Sequence, residues 1–192
     1  MTTTEHTHKS EDLSAQYRAL ADRITSLLEG TDIRMLRRSS PCEGWDGTDV
    51  LEHLVTTQRD FLSSHVTMPG LSATEPLEQW HEHVSQVEAL LAEGTADTEF
   101  DGYFGPTTIG ATLARFYGFD MIVHRWDIGQ AVGVDVPWDE AELEQVETSI
   151  AGFGDHLYAE GICNDPLEVA DGATKQERLL ALLGRRPVGG LA

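Results

Sequence analysis

The chain has 192 residues, 40% of them hydrophobic, which suits a globular protein with a real core and argues against a disordered one. Its 13 basic and 33 acidic residues leave a net charge of −20, a surface that repels DNA, RNA and anionic lipid. No apolar run approaches the about 20 residues of a membrane span, and Met1 to His8 carry no signal-like apolar stretch, so a cytoplasmic protein is expected.

Residues 1–9 read as a disordered tail, with His6 and His8 solvated, and residues 10–192 as a single domain. A first helix is predicted from Ser10 or Glu11 to Gly30, because Leu13, Tyr17, Leu20, Ile24 and Leu27 recur at spacings of three and four. A Pro- and Gly-punctuated connector, Arg37 to Gly47, comes next. The second helix is expected from about Thr48 to His65, with Val50, Leu54, Phe61 and Leu62 buried and His53 at the edge of that stripe. A third, from about Glu75 to Glu93, has a seam of Leu77, Trp80, Val84, Val87 and Leu91. His81 and His83 point to opposite sides of it and read as surface residues.

The loop from Gly94 to Pro106 carries Phe100, Tyr103 and Phe104, which suits a loop folded against the body or a lid over a pocket. The fourth helix, from about Thr107 to Val132, is apolar nearly all round and should be covered on several sides. Asp139 with Glu142 should cap a fifth, and Thr174 with Glu177 a short last one, Lys175 to Leu183. No alternating strand stands out, so the fold class is all-α, a helix bundle.

The chemistry concentrates on the fourth helix. Asp120 and His124 lie four apart, on one face, with Asp127 on the same side. Two carboxylates and an imidazole in a stripe otherwise made of Leu113, Phe116, Tyr117, Val123, Ile128 and Ala131 need partners, since buried charge is costly unless paired or metal-bound. His53, Asp120 and His124 would make a three-ligand metal site, and such zinc sites leave the fourth position to water or substrate. The alternative is a core hydrogen bond between Asp120 and His124. Asp127 would orient an imidazole from behind or satisfy a loop backbone. Cys42, just before a helix N-terminus, is placed for a lowered pKa, but no adjacent base is visible in the sequence; the alternative is a small buried turn residue. Cys42 and Cys163 make no disulfide framework and read as free thiols. No nucleophile elbow and no phosphate-binding loop occurs.

Three stretches together resemble a known family: Ser40-Pro41-Cys42-Glu43-Gly44-Trp45, Val50-Leu51-Glu52-His53-Leu54, and Asp120 to Ile128 with Ala131 and Gly133. They are similar to the mycothiol-dependent maleylpyruvate isomerase-like proteins, of the DinB-like superfamily of metal-binding four-helix bundles. The ending Gln176 to Arg185 also resembles that family's closing helix, and the likeness runs from about residue 10 to 187. The resemblance implies a DinB-like four-helix bundle with additional short helices. It also implies a divalent metal, zinc first and nickel second, on His53, Asp120 and His124. The better-known isomerase has Glu where this chain has Asp120, and it carries a further C-terminal domain that this chain is expected to be too short to include.

The function implied is thiol-dependent transfer or isomerisation, with mycothiol or another small thiol as cofactor and a small electrophile as substrate. Non-catalytic binding of a small molecule, or a metal-free structural bundle, are the alternatives. Monomer and homodimer are both compatible with the sequence.

Overall fold

The structure, a computed structural model, describes residues 3–103, 105–159 and 162–187, with side chains described from residue 12 onward. Among these residues the fold is all-α and DinB-like: seven α-helices and one short hairpin. The helices are α1 (Thr3–Glu29), α2 (Gly47–Ser63), α3 (Pro76–Ala92), α4 (Ile109–Thr112), α5 (Gly118–Val132), α6 (Glu140–Phe153) and α7 (Lys175–Leu182). The helix α1 begins earlier than the sequence suggests, because its first residues lack the apolar spacing that marks a helix face. The tail expected over residues 1–9 falls where side chains lie outside the described residues. The chain forms two compact units, residues 1–33 with 51–121 and residues 34–50 with 122–192.

In the first unit, α1 buries Tyr17, Leu20, Ala21, Ile24 and Leu28, and α2 buries Leu51, Leu54, Val55 and Leu62. The helix α3 contributes Trp80, Val87 and Leu91. These spacings of three and four put each set on one helical face, and burying such a face drives helix packing. Directional bonds fix the arrangement: Trp80 Nε1 donates to Thr25 Oγ1 (2.9 Å) and Tyr17 OH to Gln58 Oε1 (2.9 Å).

His83 departs from the surface position expected of it. It is fully buried, while His81 is exposed beside Glu29. The two histidines do diverge, but the buried seam runs through residues 80, 83, 87 and 91, and so includes position 83. Gln58 Oε1 lies 3.0 Å from His83 Nε2 and can only accept, so that nitrogen carries the proton. Burial, and then the Arg59 charge, push the His83 pKa down to about 3. The imidazole is therefore a neutral core group.

The aromatic loop contains a two-stranded antiparallel hairpin, β1 (Glu99–Gly102) and β2 (Gly105–Thr108), with Glu99 opposite Thr108 and Gly102 opposite Gly105. The strand β1 does alternate, with Glu99 and Asp101 exposed and Phe100 and Gly102 less so, but four residues with one apolar side chain are too few to mark a strand in the sequence. Phe100 packs on Phe61 and His65, at ring separations of 5.6 and 4.3 Å, so part of the loop does fold against the body. Tyr103 is exposed, and Phe104 lies outside the described residues.

The expected fourth helix is present as a helical run with an interruption. Thr108 caps α4, a π-helical turn spans Leu113–Tyr117, and α5 comes after it. A π turn carries more residues per turn than an α turn and shifts the phase of the helix beyond it. Phe116 is consequently half exposed rather than part of the stripe that carries Asp120.

In the second unit, residues 122–129 of α5 are all buried, the polar His124, Arg125 and Asp127 together with their apolar neighbours. Arg125 on α5 meets Glu142 on α6 through paired contacts of 2.7 and 3.0 Å. Glu142 also closes the capping box with Asp139 that starts α6, and Thr174 and Glu177 make the same motif at α7. Gln176 ties α7 to the connector between α5 and α6 by accepting from Trp138 N and donating to Val136 O. A Cβ at Gly129 would collide with Val136, so only glycine lets this connector lie against α5.

Candidate metal and thiol site

The connector before α2 is shaped by one tight turn. Trp45 N donates to Cys42 O (3.1 Å), and Gly44 sits at the third position with φ +80. A turn with positive φ there is type II, and glycine takes it without strain. Ser40 holds the turn's base: its N donates to Trp45 O, and Cys42 N donates to its Oγ. The turn thereby presents Cys42 and Trp45 from its two ends, with Glu43, Gly44 and Trp45 exposed.

Both ends meet α5 within the second unit. The Trp45 and His124 rings stack at 6.4 Å with 26° between planes. Cys42 Sγ lies 3.3 Å from Asp127 Oδ2 and 3.9 Å from His124 Nδ1. His124 Nδ1 is itself 2.9 Å from Asp127 Oδ2. A carboxylate with a low pKa accepts, so Nδ1 carries the proton and the ring's lone pair sits on Nε2.

Arg185, just beyond α7, completes this cluster. Its Nη2 reaches Asp127 Oδ2 (3.4 Å) and Cys42 Sγ (3.8 Å), and its Nη1 reaches Cys163 Sγ (3.7 Å). Burial alone would raise the Asp127 carboxyl, but Arg185, His124 and Cys42 outweigh it and hold the group below the usual range. Burial likewise works against the Arg185 charge, and Asp127, with Cys42 and Cys163, more than restores it. Asp127 is thus a fully buried carboxylate kept ionised by the Arg185 guanidinium together with His124 and Cys42. Cys42, His124 and Asp127 also form a compact set of metal-capable donors; the adjacent Arg185 already balances the carboxylate there.

In the first unit, His53 Nε2 lies 3.4 Å from Asp120 Oδ2, with both side chains partly exposed. Burial, then the charges of Asp120 and Asp60, raise the Tyr117 phenol, which stays protonated and donates to Thr57 O.

The structure thus brings His53 to Asp120 and His124 to Asp127, the contacts that pair these four residues within each unit. Beside Cys42, where the sequence shows no adjacent base, it places the Asp127 carboxylate and the His124 ring of α5, 85 and 82 residues on in the chain. Arg185 is a site residue that the sequence does not reveal. Nothing local marks it, since its partner Asp127 is 58 residues away.

The arrangement defines a class: an all-α, DinB-like protein with imidazole and carboxylate groups suited to a divalent metal and a thiol placed behind one imidazole. Residues 17–67 match the mycothiol maleylpyruvate isomerase N-terminal domain family, about a quarter of the chain and the part that contains the Cys42 turn and His53. No curated protein and no solved structure gives a significant match. No described helix is long and apolar enough to cross a membrane.

Proposed function

We propose that the protein binds one divalent metal, zinc in preference to nickel, through His53, Asp120 and His124, and uses it in thiol-dependent transfer or isomerisation of a small electrophile. Residues 10–192 act as one domain in this reading. The observation that carries it is the hydrogen bond from His124 Nδ1 to Asp127. Metal-bound histidines characteristically give their other ring N–H to a carboxylate, which fixes the tautomer and raises ligand basicity. Asp127 supplies that carboxylate, and its charge is sustained by Arg185.

His53 and Asp120 fit the remaining donor roles. They are in contact and partly exposed, as residues lining an accessible site must be. Asp120 and His124 stand one turn apart on α5, the spacing with which one helix grips one ion. Bound there, the metal would lower the pKa of a coordinated small thiol and present it as a thiolate. The chain's own part is to hold His124 in one tautomer, keep Asp127 ionised, and offer His53 and Asp120 as neutral and anionic donors. The match to a mycothiol isomerase family makes mycothiol the first thiol to try.

The test is an activity screen of mycothiol and other small thiols with maleylpyruvate-like and other electrophiles. Turnover should require both thiol and metal. Turnover that survives complete metal removal contradicts the mechanism, and metal binding without turnover would leave a binding module.

A further inference from the structure

The cluster behind His124 holds more than orientation of an imidazole requires. Asp127 Oδ2 takes three contacts, from His124, Cys42 and Arg185, while Asp127 Oδ1 and Arg185 Nε are buried without a hydrogen-bond partner. A buried polar atom left unpaired costs about 1–3 kcal/mol, so one acceptor and one donor are available to a further group. The Cys42 thiol lies beside them, half-buried, at the end of a turn whose next three residues are exposed.

We propose that Cys42 is a modification site that exchanges with a low-molecular-weight disulfide, and that the resulting adduct uncouples His124 from Asp127. In the exchange, Cys42 Sγ attacks one sulfur of R–S–S–R. The new Sγ–S bond forms, the old S–S bond breaks, and the thiol's proton leaves with the released RSH. Arg185 Nη2 lies 3.8 Å from Sγ, and the S–H donates a hydrogen bond to Asp127 Oδ2 at 3.3 Å until the proton leaves with RSH.

The uncoupling arises because one oxygen is shared. A sulfur in a disulfide has no proton to donate to Asp127 Oδ2, and the added group must fit where Arg185 and Asp127 now sit. The Asp127 carboxylate moves, and the hydrogen bond that sets the His124 tautomer is lost. That effect on a bound metal rests on the proposed function; the adduct itself does not.

The experiment uses the full chain treated with hydroxyethyl disulfide, read by peptide mass spectrometry and by the side-chain ¹⁵N signals of His124 in metal-free protein. Cys163 is the internal control, because it touches the same guanidinium. Cys42 should form the mixed disulfide, and the His124 signals should shift in step with it. The shift should persist in Cys163→Ser and vanish in Cys42→Ser. No adduct on Cys42, or an adduct on Cys42 with unchanged His124 signals, would overturn the proposal. In zinc-loaded protein the adduct should also release zinc. An adduct with the His124 shift in a protein that binds no zinc would sink the metal reading and leave this one standing.

Discussion

Asp127 Oδ2 lies 2.9 Å from His124 Nδ1, three residues back on the same helix, and the carboxylate is fully buried. A buried anion paired with an imidazole and a guanidinium is a device for holding one ring in one orientation and tautomer. Asp127→Asn keeps the shape and removes the charge. It should weaken zinc binding about 10–100-fold, measured by competition with a chromophoric chelator, and move the His124 ¹⁵N signals. Unchanged affinity would show that Asp127 serves only the fold.

Asp120→Asn separates a ligand from a core partner. As a ligand substitution it should lower metal content while the metal-free protein keeps its thermal midpoint, because both Asp120 and His53 are partly exposed. A fall in the midpoint of the metal-free protein with no change in metal content would identify a structural pair.

The buried pair of Arg125 and Glu142 should matter for stability alone. Both side chains are nearly inaccessible, and removing one partner leaves an uncompensated buried charge, a loss of about 3–5 kcal/mol. Glu142→Gln should show this in urea denaturation, with the capping box weakened as well.

His83 makes stability depend on pH. Its folded pKa of about 3 lies below the about 6.5 of an unfolded histidine. Between those values the unfolded chain binds a proton that the native state does not, so stability rises with pH. The contribution is complete above about pH 6.5 and falls by up to about 1.4 kcal/mol per pH unit below it. Urea denaturation at pH 7 and pH 5 should show this loss, and His83→Gln should show a smaller one.

Much of this fold is legible in the sequence. The seams of α1 and α3 and both capping boxes arise from local spacing, which is what a sequence displays most directly. The π turn at Leu113–Tyr117 is not legible, because its residues suit an α-helix equally well, and so a regular helix puts Phe116 on the wrong face. His83 misleads for a related reason: a histidine's solvation depends on a partner, and Gln58 sits on another helix. The site divides in the same way. His124 and Asp127 are three apart and can be paired on paper, whereas Cys42 and Arg185 reach Asp127 across 85 and 58 residues. Only folding brings such groups together.

Metal content bears most directly on the role given to His53, Asp120 and His124. Protein purified without an affinity metal column should be analysed by inductively coupled plasma mass spectrometry as wild type, His53→Ala and Cys42→Ser. About one equivalent of zinc or nickel is predicted in wild type and Cys42→Ser, and its loss in His53→Ala. No metal in wild type, with no thermal stabilisation on adding zinc or nickel, would contradict the metal site and leave a metal-free bundle.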